Sequence, residues 1–219
     1  AKARPSYPPE LFAWLAQRCA GRDLAWDCGT GNGQAAQALA GHFQRVHATD
    51  LSATQVAQAE PHPRIDYRAA AAETSGLNDR CCDLATVAQA LHWFCNETFY
   101  AEVRRVLKPG GLFAAWTYTL LRGEPALNAI VEDFFRNTVG PWWPPERRWV
   151  DLAYREMPFP FADIATPKLE IRLEWTRAAL RAMKDAARPV SASRRSGSGV
   201  HRRRLMKDRR SAHWRFKGL

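Results

Sequence analysis

The sequence predicts an α/β protein in which a doubly wound, mostly parallel sheet carries helices on both faces. Short apolar segments with strand character alternate with segments of helical spacing over roughly the first half of the 219 residues. Such alternation is typical of strand–helix–strand units, which build parallel sheets that are covered on both sides. The length of the chain suits one layered domain with a sizeable core.

The predicted sheet begins after an N-terminal helix. That helix, "PPELFAWLAQRCAG", has proline at its start, glycine at its end, and Leu11, Trp14 and Leu15 at helical spacing. Five strands are predicted within "DLAWDC", "RVHATD", "RIDYRAAAAE", "DLATVAQALHWF" and "PGGLFAAWTY". The helices that separate most of them are predicted in "GQAAQALAGHF", "SATQVAQAE" and "NETFYAEVRRVLK", and Ser52 is the expected N-cap of the second of these.

The pattern changes after Tyr118. A helix is predicted in "EPALNAIVEDFFRNTVG", and the Pro/Trp-rich loop "PWWPPERRW" follows it. In "KLEIRLEWT", Leu169, Ile171 and Leu173 alternate with charged residues, which predicts a half-exposed, antiparallel strand. From about Leu180 the patterning ends, and a composition rich in Arg, Ser and Gly predicts disorder.

The net charge of +10 is concentrated at the C-terminal end. Residues 177–219 hold 14 of the 32 Lys and Arg residues and 2 of the 22 Asp and Glu residues, so the rest of the chain has a net charge of −2. A near-neutral body disfavours a nucleic-acid substrate, because phosphate binding requires a basic face. One alternative stays open, since Trp214 and Phe216 alternate with basic residues as they do in proteins that bind single strands.

Three glycines in five residues follow the first predicted strand: Gly29, Gly31 and Gly33. A phosphate-binding P-loop is excluded because no Lys follows the last glycine. A dinucleotide-binding fingerprint would need glycine where Gln34 stands. Asp27, two residues before the first glycine, would repel a pyrophosphate, so it favours a ligand that carries positive charge.

The second predicted strand ends in Asp50, which lies 21 residues after Gly29. A carboxylate at this position can accept hydrogen bonds from ribose hydroxyls. A ribose joined to a positively charged, phosphate-free group describes S-adenosylmethionine, which we therefore expect as the cofactor. An NAD-dependent dehydrogenase is a weaker alternative, because Gln34 breaks the fingerprint of that class.

Five segments in order resemble the class I S-adenosylmethionine-dependent methyltransferases, in particular the trans-aconitate methyltransferase-like and type 11 group. They are "ARPSYP", "DCGTGNG", "ATDLS", "QALHWF" and "RVLKPGG", and the resemblance covers roughly residues 3–118. It implies a Rossmann-like sheet and methyl transfer to a small-molecule acceptor. It also implies a methyltransferase domain at 1–179, with a cofactor half at 1–118 and a lid and substrate region at 119–179. The composition of residues 180–219 predicts a basic, low-complexity, disordered tail after that domain.

The resemblance implies a set of cofactor contacts. The backbone of Gly29 and Gly31 would approach the methionine part, and Asp27 would contact its amino group through water. Asp50 would hold the ribose, and Leu51 would pack on the adenine. The other implied contacts are Ala72 and Glu73 at the adenine edge and Gln89 and Leu91 near the sulfonium.

Methyl transfer depends chiefly on in-line positioning and exclusion of water, because a sulfonium is already a good leaving group. A base is needed only where the nucleophile must first lose a proton. His92 is the candidate for that base, although a structural or substrate-orienting role stays open. Tyr7, Trp93 and Trp116 are the candidate substrate contacts in an aromatic pocket, with core packing as the alternative. No metal site is predicted.

The C-terminal region departs from the pattern of the family, whose members close the sheet with an antiparallel hairpin. No alternating run long enough for that hairpin follows "EWTRAAL". We therefore expect the hairpin to be missing, the fifth strand to be an exposed edge, and the region from about Arg181 to be foreign to the family. A truncated, non-catalytic relative with weak or no cofactor binding is accordingly an alternative.

The remaining features concern location and partners. The first ten residues lack the apolar segment of a secretory signal, and no apolar run is long enough to span a membrane. Five cysteines without C-x-x-C spacing are typical of reduced thiols. These observations predict a cytoplasmic protein with no membrane partner, and the resemblance implies a small-molecule methyl acceptor as its partner. The sequence does not predict an oligomeric state.

Overall fold

The computed structural model describes residues 5–120, 123–167, 169–176 and 205–218. The helices are α1 (Pro9–Arg18), α2 (Gln34–Leu39), α3 (Ala53–Val56), α4 (Glu97–Val106), α5 (Pro125–Asp133) and α6 (Arg147–Asp151). The strands are β1 (Leu24–Cys28), β2 (Arg45–Asp50), β3 (Ile65–Ala69), β4 (Cys82–Ala88), β5 (Leu107–Tyr118), β6 (Ala162–Asp163), β7 (Glu170–Thr176) and β8 (Leu205–Gly218). Short 3₁₀ turns occupy Leu91–Trp93 and Gly140–Trp142, and π-helical turns at Phe134–Val139 extend α5.

The strands form a sheet in the order β3-β2-β1-β4-β5-β8-β6, and β7 pairs with β8 beside this path. The first five strands run parallel to one another, whereas β8 is antiparallel to β5. This arrangement confirms the predicted α/β, Rossmann-like fold. Because β1 lies between β2 and β4, the order of the strands reverses there, and a crevice opens at their carboxyl ends.

The core consists of two apolar clusters on opposite faces of the sheet. On one face α4 contributes Phe99 and Val103, and on the other α1 contributes Leu11 and Leu15. Neighbouring residues of β1 belong to different clusters, as Ala25 packs with α1 and Trp26 with α4. Burial on both faces explains why the parallel strands appear in the sequence as short, nearly continuous apolar runs.

The C-terminal strand corrects one part of the sequence prediction. We expected no strand in the tail and an exposed edge at β5, but β5 pairs with β8 from Leu112 with Gly218 to Tyr118 with Ala212. β8 also pairs with β7, antiparallel. Apolar and basic residues alternate in "HWRFK", and this period of two is the pattern of a strand despite the high charge. Residues 180–204 and 219 of the predicted tail lie outside the described residues.

Among the described residues, no helix has the length and apolar character needed to cross a membrane. The domain boundaries at 118 and 179 stay predictions.

Candidate functional site

The turn between β1 and α2 brings backbone unusually close to its neighbours. Gly29, Gly31 and Gly33 have φ angles of +67°, +58° and +86°, which residues other than glycine rarely adopt. A Cβ on Gly29 would lie 2.6 Å from the Cβ of Ala90, and one on Gly33 would collide with the hydroxyl of Tyr67. Glycine is therefore required both for the conformation of the turn and for its close approach to the loop after β4.

Asp50 fixes this turn from the end of β2. Its Oδ2 accepts a hydrogen bond from the backbone N–H of Gly31 at 2.8 Å, and its Oδ1 accepts one from the N–H of Ser52 at 2.9 Å. Ser52 in turn caps α3. A carboxylate has about four lone-pair sites, so Asp50 keeps acceptor capacity after both bonds are made.

Asp27 lies beneath the turn and not in the open crevice. Its side chain is fully buried, and its two oxygens accept hydrogen bonds from the hydroxyls of Thr30 at 2.6 Å and Thr86 at 2.8 Å. Burial raises the pKa of Asp27 to about 6, although these hydrogen bonds oppose the shift. Asp27 thus acts on the site through Thr30, which it holds in place.

A cavity of about 520 Å³ lies over the carboxyl ends of β1, β2 and β4. Its volume falls within the range of about 300–1,000 Å³ that is usual for small-molecule sites. Seven of the predicted site residues line it: Tyr7, Gly29, Gly31, Asp50, Gln89, His92 and Trp93. Distant parts of the sequence therefore meet at one crevice, as the parallel sheet requires.

The other six predicted site residues do not line this cavity. Asp27 is enclosed beneath the turn, Leu51 is 81% exposed, and Glu73 accepts a hydrogen bond from Asn96 at 3.0 Å. The remaining three, Ala72, Leu91 and Trp116, are buried in the core clusters. For Trp116 the alternative of core packing is the one observed, because its ring packs edge-on against Tyr7 at 5.6 Å.

His92 lies in the turn after β4, and its Nδ1 is 2.8 Å from the hydroxyl of Tyr154. Burial, together with the positive charge of Arg147, lowers the pKa of His92 to about 4. The imidazole is therefore neutral at pH 7. A base with so low a pKa takes up a proton weakly, and the Tyr154 hydroxyl holds the ring in place. Together these two observations favour an orienting role over general-base catalysis.

Gln89 lies in the wall of the cavity with a φ angle of +59°. Its Oε1 accepts a hydrogen bond from the Thr117 hydroxyl at 3.0 Å, whereas its Nε2 is buried without a hydrogen-bond partner among the described residues. A buried donor left unpaired costs about 1–3 kcal/mol. An unusual backbone conformation together with an unpaired donor is typical of a ligand-binding position.

Sequence reasoning missed Arg147, which lines the same cavity from α6. Its guanidinium lies 3.5 Å from the centre of the Trp143 ring, and its Nε donates to Asp151 at 3.0 Å. The sequence predicted this segment as a loop, and no motif spacing connects it with the glycine turn. The only signal was the mixture of Arg and Trp in "PWWPPERRW".

Of the residues that the structure describes, no group of three or more His, Cys, Asp or Glu is placed to hold a metal ion.

Comparisons with known proteins agree with this geometry. A family model for a methyltransferase domain, Methyltransf_11, matches residues 26–115. The structure of a proposed type II methyltransferase from Anaeromyxobacter dehalogenans is 36% identical in sequence, with a TM-score of 0.82 over 98% of this chain and 97% of that chain. That similarity covers nearly the whole chain, and the expectation that the region from about Arg181 is foreign to the family stays a prediction.

Curated relatives cover less of the chain. A proposed methyltransferase of Dictyostelium discoideum is 37% identical over 155 residues, which are 69% of this chain and 59% of the relative. An uncharacterized methyltransferase of Schizosaccharomyces pombe is 31% identical over 116 residues, which are 51% of this chain and 46% of the relative. The chain thus spans about half the length of the curated relatives it matches. The sheet order, the glycine turn and these similarities together place the chain in the class I S-adenosylmethionine-dependent methyltransferase family.

Proposed function

We propose that the chain binds S-adenosylmethionine in the cavity at the carboxyl ends of the strands and transfers its methyl group to a small-molecule acceptor. One observation carries the proposal. The carboxylate of Asp50 is bonded to the glycine turn through the Gly31 N–H, so a ribose-binding acid and a close backbone approach meet at one edge of the sheet.

The residues present fit the cofactor. The glycine turn offers backbone with no Cβ at three positions, and Asp50 keeps lone pairs for ribose hydroxyls. The unpaired Nε2 of Gln89 offers a donor to an oxygen or nitrogen of a ligand. The Thr30 hydroxyl donates to Asp27, so its oxygen is oriented to accept from an ammonium group.

When bound, the cofactor supplies an electrophilic methyl group on a positively charged sulfur. The contribution of the chain is to hold and orient, since positioning of the two reactants lowers the barrier without further chemical groups. His92, held by Tyr154, would orient the acceptor beside Trp93, which is 60% exposed where it lines the cavity. An acceptor that is already deprotonated then reacts without a base.

The composition of the cavity supports a small acceptor. Of the described residues that line it, Arg147 is the only Lys or Arg. A nucleic-acid backbone would require several such residues along a basic face. The alternative of an Arg-rich tail that binds nucleic acid would be supported instead by RNA or DNA binding that weakens steeply with salt.

Calorimetric titration with S-adenosylmethionine and S-adenosylhomocysteine tests the proposal. We expect micromolar binding by the wild-type chain and at least a tenfold loss in Asp50→Asn, because the ribose loses an ionised acceptor. Asp66→Asn is the matched control, since Asp66 is a half-exposed acid on the neighbouring strand β3 and does not line the cavity.

Two results would contradict the proposal. Equal affinities of the wild type and Asp50→Asn would remove Asp50 from the site. Absence of binding by a folded wild-type chain would favour the non-catalytic alternative.

A further inference from the structure

A second cavity, of about 470 Å³, adjoins the first, and the two share Leu120, Phe135 and Arg147 in their walls. We propose that this second cavity is the distal part of the acceptor site and binds an anionic group of the acceptor, remote from the atom that is methylated. The inference rests on the proposed function, because it extends the same site away from the cofactor.

The wall of the second cavity has a fixed aromatic part. The rings of Phe135 and Trp143 meet edge to face, with centroids 5.4 Å apart and an interplanar angle of 84°. The Arg147 guanidinium lies 3.5 Å from the centre of the Trp143 ring, and its Nε is held by Asp151. A cation over an aromatic face is held in place by the ring quadrupole, so the shared wall presents a positioned positive charge beside an apolar surface.

The charges of the second cavity favour an anion. Three arginines line it, Arg136, Arg147 and Arg148, against two acids, Glu132 and Asp151. Asp151 is engaged by Arg147, whereas neither Arg136 nor Arg148 forms an ion pair with any residue that the structure describes. Guanidinium groups present planar pairs of N–H donors that match the oxygens of a carboxylate or a phosphate.

The position of Arg147 connects the two cavities. Its side chain is 25% exposed, and burial lowers its pKa, which is the direction expected for a cation whose charge is only partly compensated. A guanidinium stays protonated in a protein. An anionic group of a bound acceptor would supply the missing compensation and would draw the rest of the acceptor past Phe135 towards His92.

The predicted ligand is therefore an organic anion with an apolar or aromatic part. The apolar part would pack on Phe135 and Trp143, and the carboxylate or phosphate oxygens would face Arg136 and Arg148. A neutral acceptor of the same shape would form no ion pair with these exposed arginines and would bind more weakly.

Titration of the full chain with three small aromatic probes tests the inference: benzoate, phenyl phosphate and neutral benzamide. We expect at least one of the anions to bind at least tenfold more tightly than benzamide, and the preferred anion distinguishes a carboxylate from a phosphate site. The double variant Arg136→Gln/Arg148→Gln should weaken anion binding at least tenfold. The control Arg22→Gln changes an exposed arginine that lines neither cavity and should leave anion binding unchanged.

The affinity for S-adenosylhomocysteine separates this inference from the proposed function. This affinity should stay within twofold of wild type in the double variant. The anion titrations are made both with and without S-adenosylhomocysteine, so that a failure to bind the cofactor is observed independently of anion binding. Equal binding of benzamide and the anions would overturn the inference. Unchanged anion binding by the double variant, or no binding of any probe, would also overturn it.

Discussion

Replacement of Gly29 by alanine tests the close approach of the glycine turn to the loop after β4. The new Cβ would be held at a φ of +67°, which costs about 1–2 kcal/mol for a residue other than glycine. It would also lie 2.6 Å from the Cβ of Ala90 and 3.3 Å from the ring of Phe94, and such overpacking costs about 1–3 kcal/mol more. Together these terms predict a loss of about 2–5 kcal/mol in the free energy of unfolding.

Gly76 provides the matched control. Its φ is +75°, but a Cβ there would meet no described atom within 4 Å. Gly76→Ala therefore carries the conformational cost alone, and the difference between the two variants isolates the steric term. Urea unfolding should show Gly29→Ala to be less stable than Gly76→Ala by about 1–3 kcal/mol, a difference of about 1 M in the midpoint for an m-value of about 2 kcal/mol/M.

The same pair of variants separates stability from binding. Ala90 lines the first cavity, so a displaced Ala90 should weaken S-adenosylhomocysteine binding in Gly29→Ala, whereas Gly76→Ala should bind like wild type. Equal destabilisation by the two substitutions would refute the close approach of Gly29 to Ala90.

Two further predictions concern pH and the packing of α4. The pKa of folded His92 is lowered to about 4, below its unfolded value of 6.5, so the unfolded chain binds more protons between these values. The contribution of His92 to stability should therefore fall as the pH drops from 6.5 to 4, by up to about 3 kcal/mol. The free energy of unfolding of the wild type, measured in urea relative to that of His92→Gln, should fall by the same amount over this range; a difference that does not change with pH would contradict the assignment. Burial alone would raise the pKa of Glu102, but hydrogen bonds from Arg105 and Ser75 lower it to about 2. The contribution of Glu102 to the free energy of unfolding is therefore present above pH 4.5 and is lost as the pH falls towards 2. Glu102→Ala should lower the free energy of unfolding by about 3 kcal/mol at pH 7. The control Glu97→Ala removes an exposed member of an ion pair and should lower it by less than about 1 kcal/mol. Equal losses in the two variants would contradict a stabilising role of the buried network around Glu102.

The fold could be predicted because its signals are local. Each parallel strand is buried on both faces, so it appears as a short apolar run between helical segments. The position of Asp50, Gly29 and Gly31 at the crevice could be predicted, because turn geometry and strand ends determine their spacing along the chain. The direct hydrogen bond between the Gly31 N–H and Asp50 was not predicted, because sequence spacing does not show which of these groups contact each other.

The position of several aromatic and apolar side chains could not be predicted in this way. Trp116 and Leu91 lie near strand ends, and the sequence does not show whether such a side chain turns to the crevice or to a covering helix. The structure packs Trp116 beside Tyr7 and Phe12 in one core cluster and Leu91 in the other. Tertiary packing decides these orientations, because either face of a doubly wound sheet can bury an apolar group.

The contacts made by the segment after β5 could not be predicted from the sequence either. Arg147 reaches the first cavity only because the folded chain returns over the carboxyl ends of the strands. No local sequence pattern indicates that the chain returns there. The C-terminal strand β8 differs from Arg147, because a local sequence pattern for it existed.

The alternation in "HWRFK" indicated a strand, but the charge of the surrounding residues favoured the interpretation as a disordered tail.

A crystal structure of the chain grown with S-adenosylhomocysteine tests the proposed cofactor site most directly. We predict electron density for the ribose within hydrogen-bond distance of Asp50, with the homocysteine part along the backbone of Gly29 and Gly31 and within reach of the Gln89 amide. Density at any other place in the molecule, or a first cavity that holds only water at saturating ligand, would contradict the proposed site.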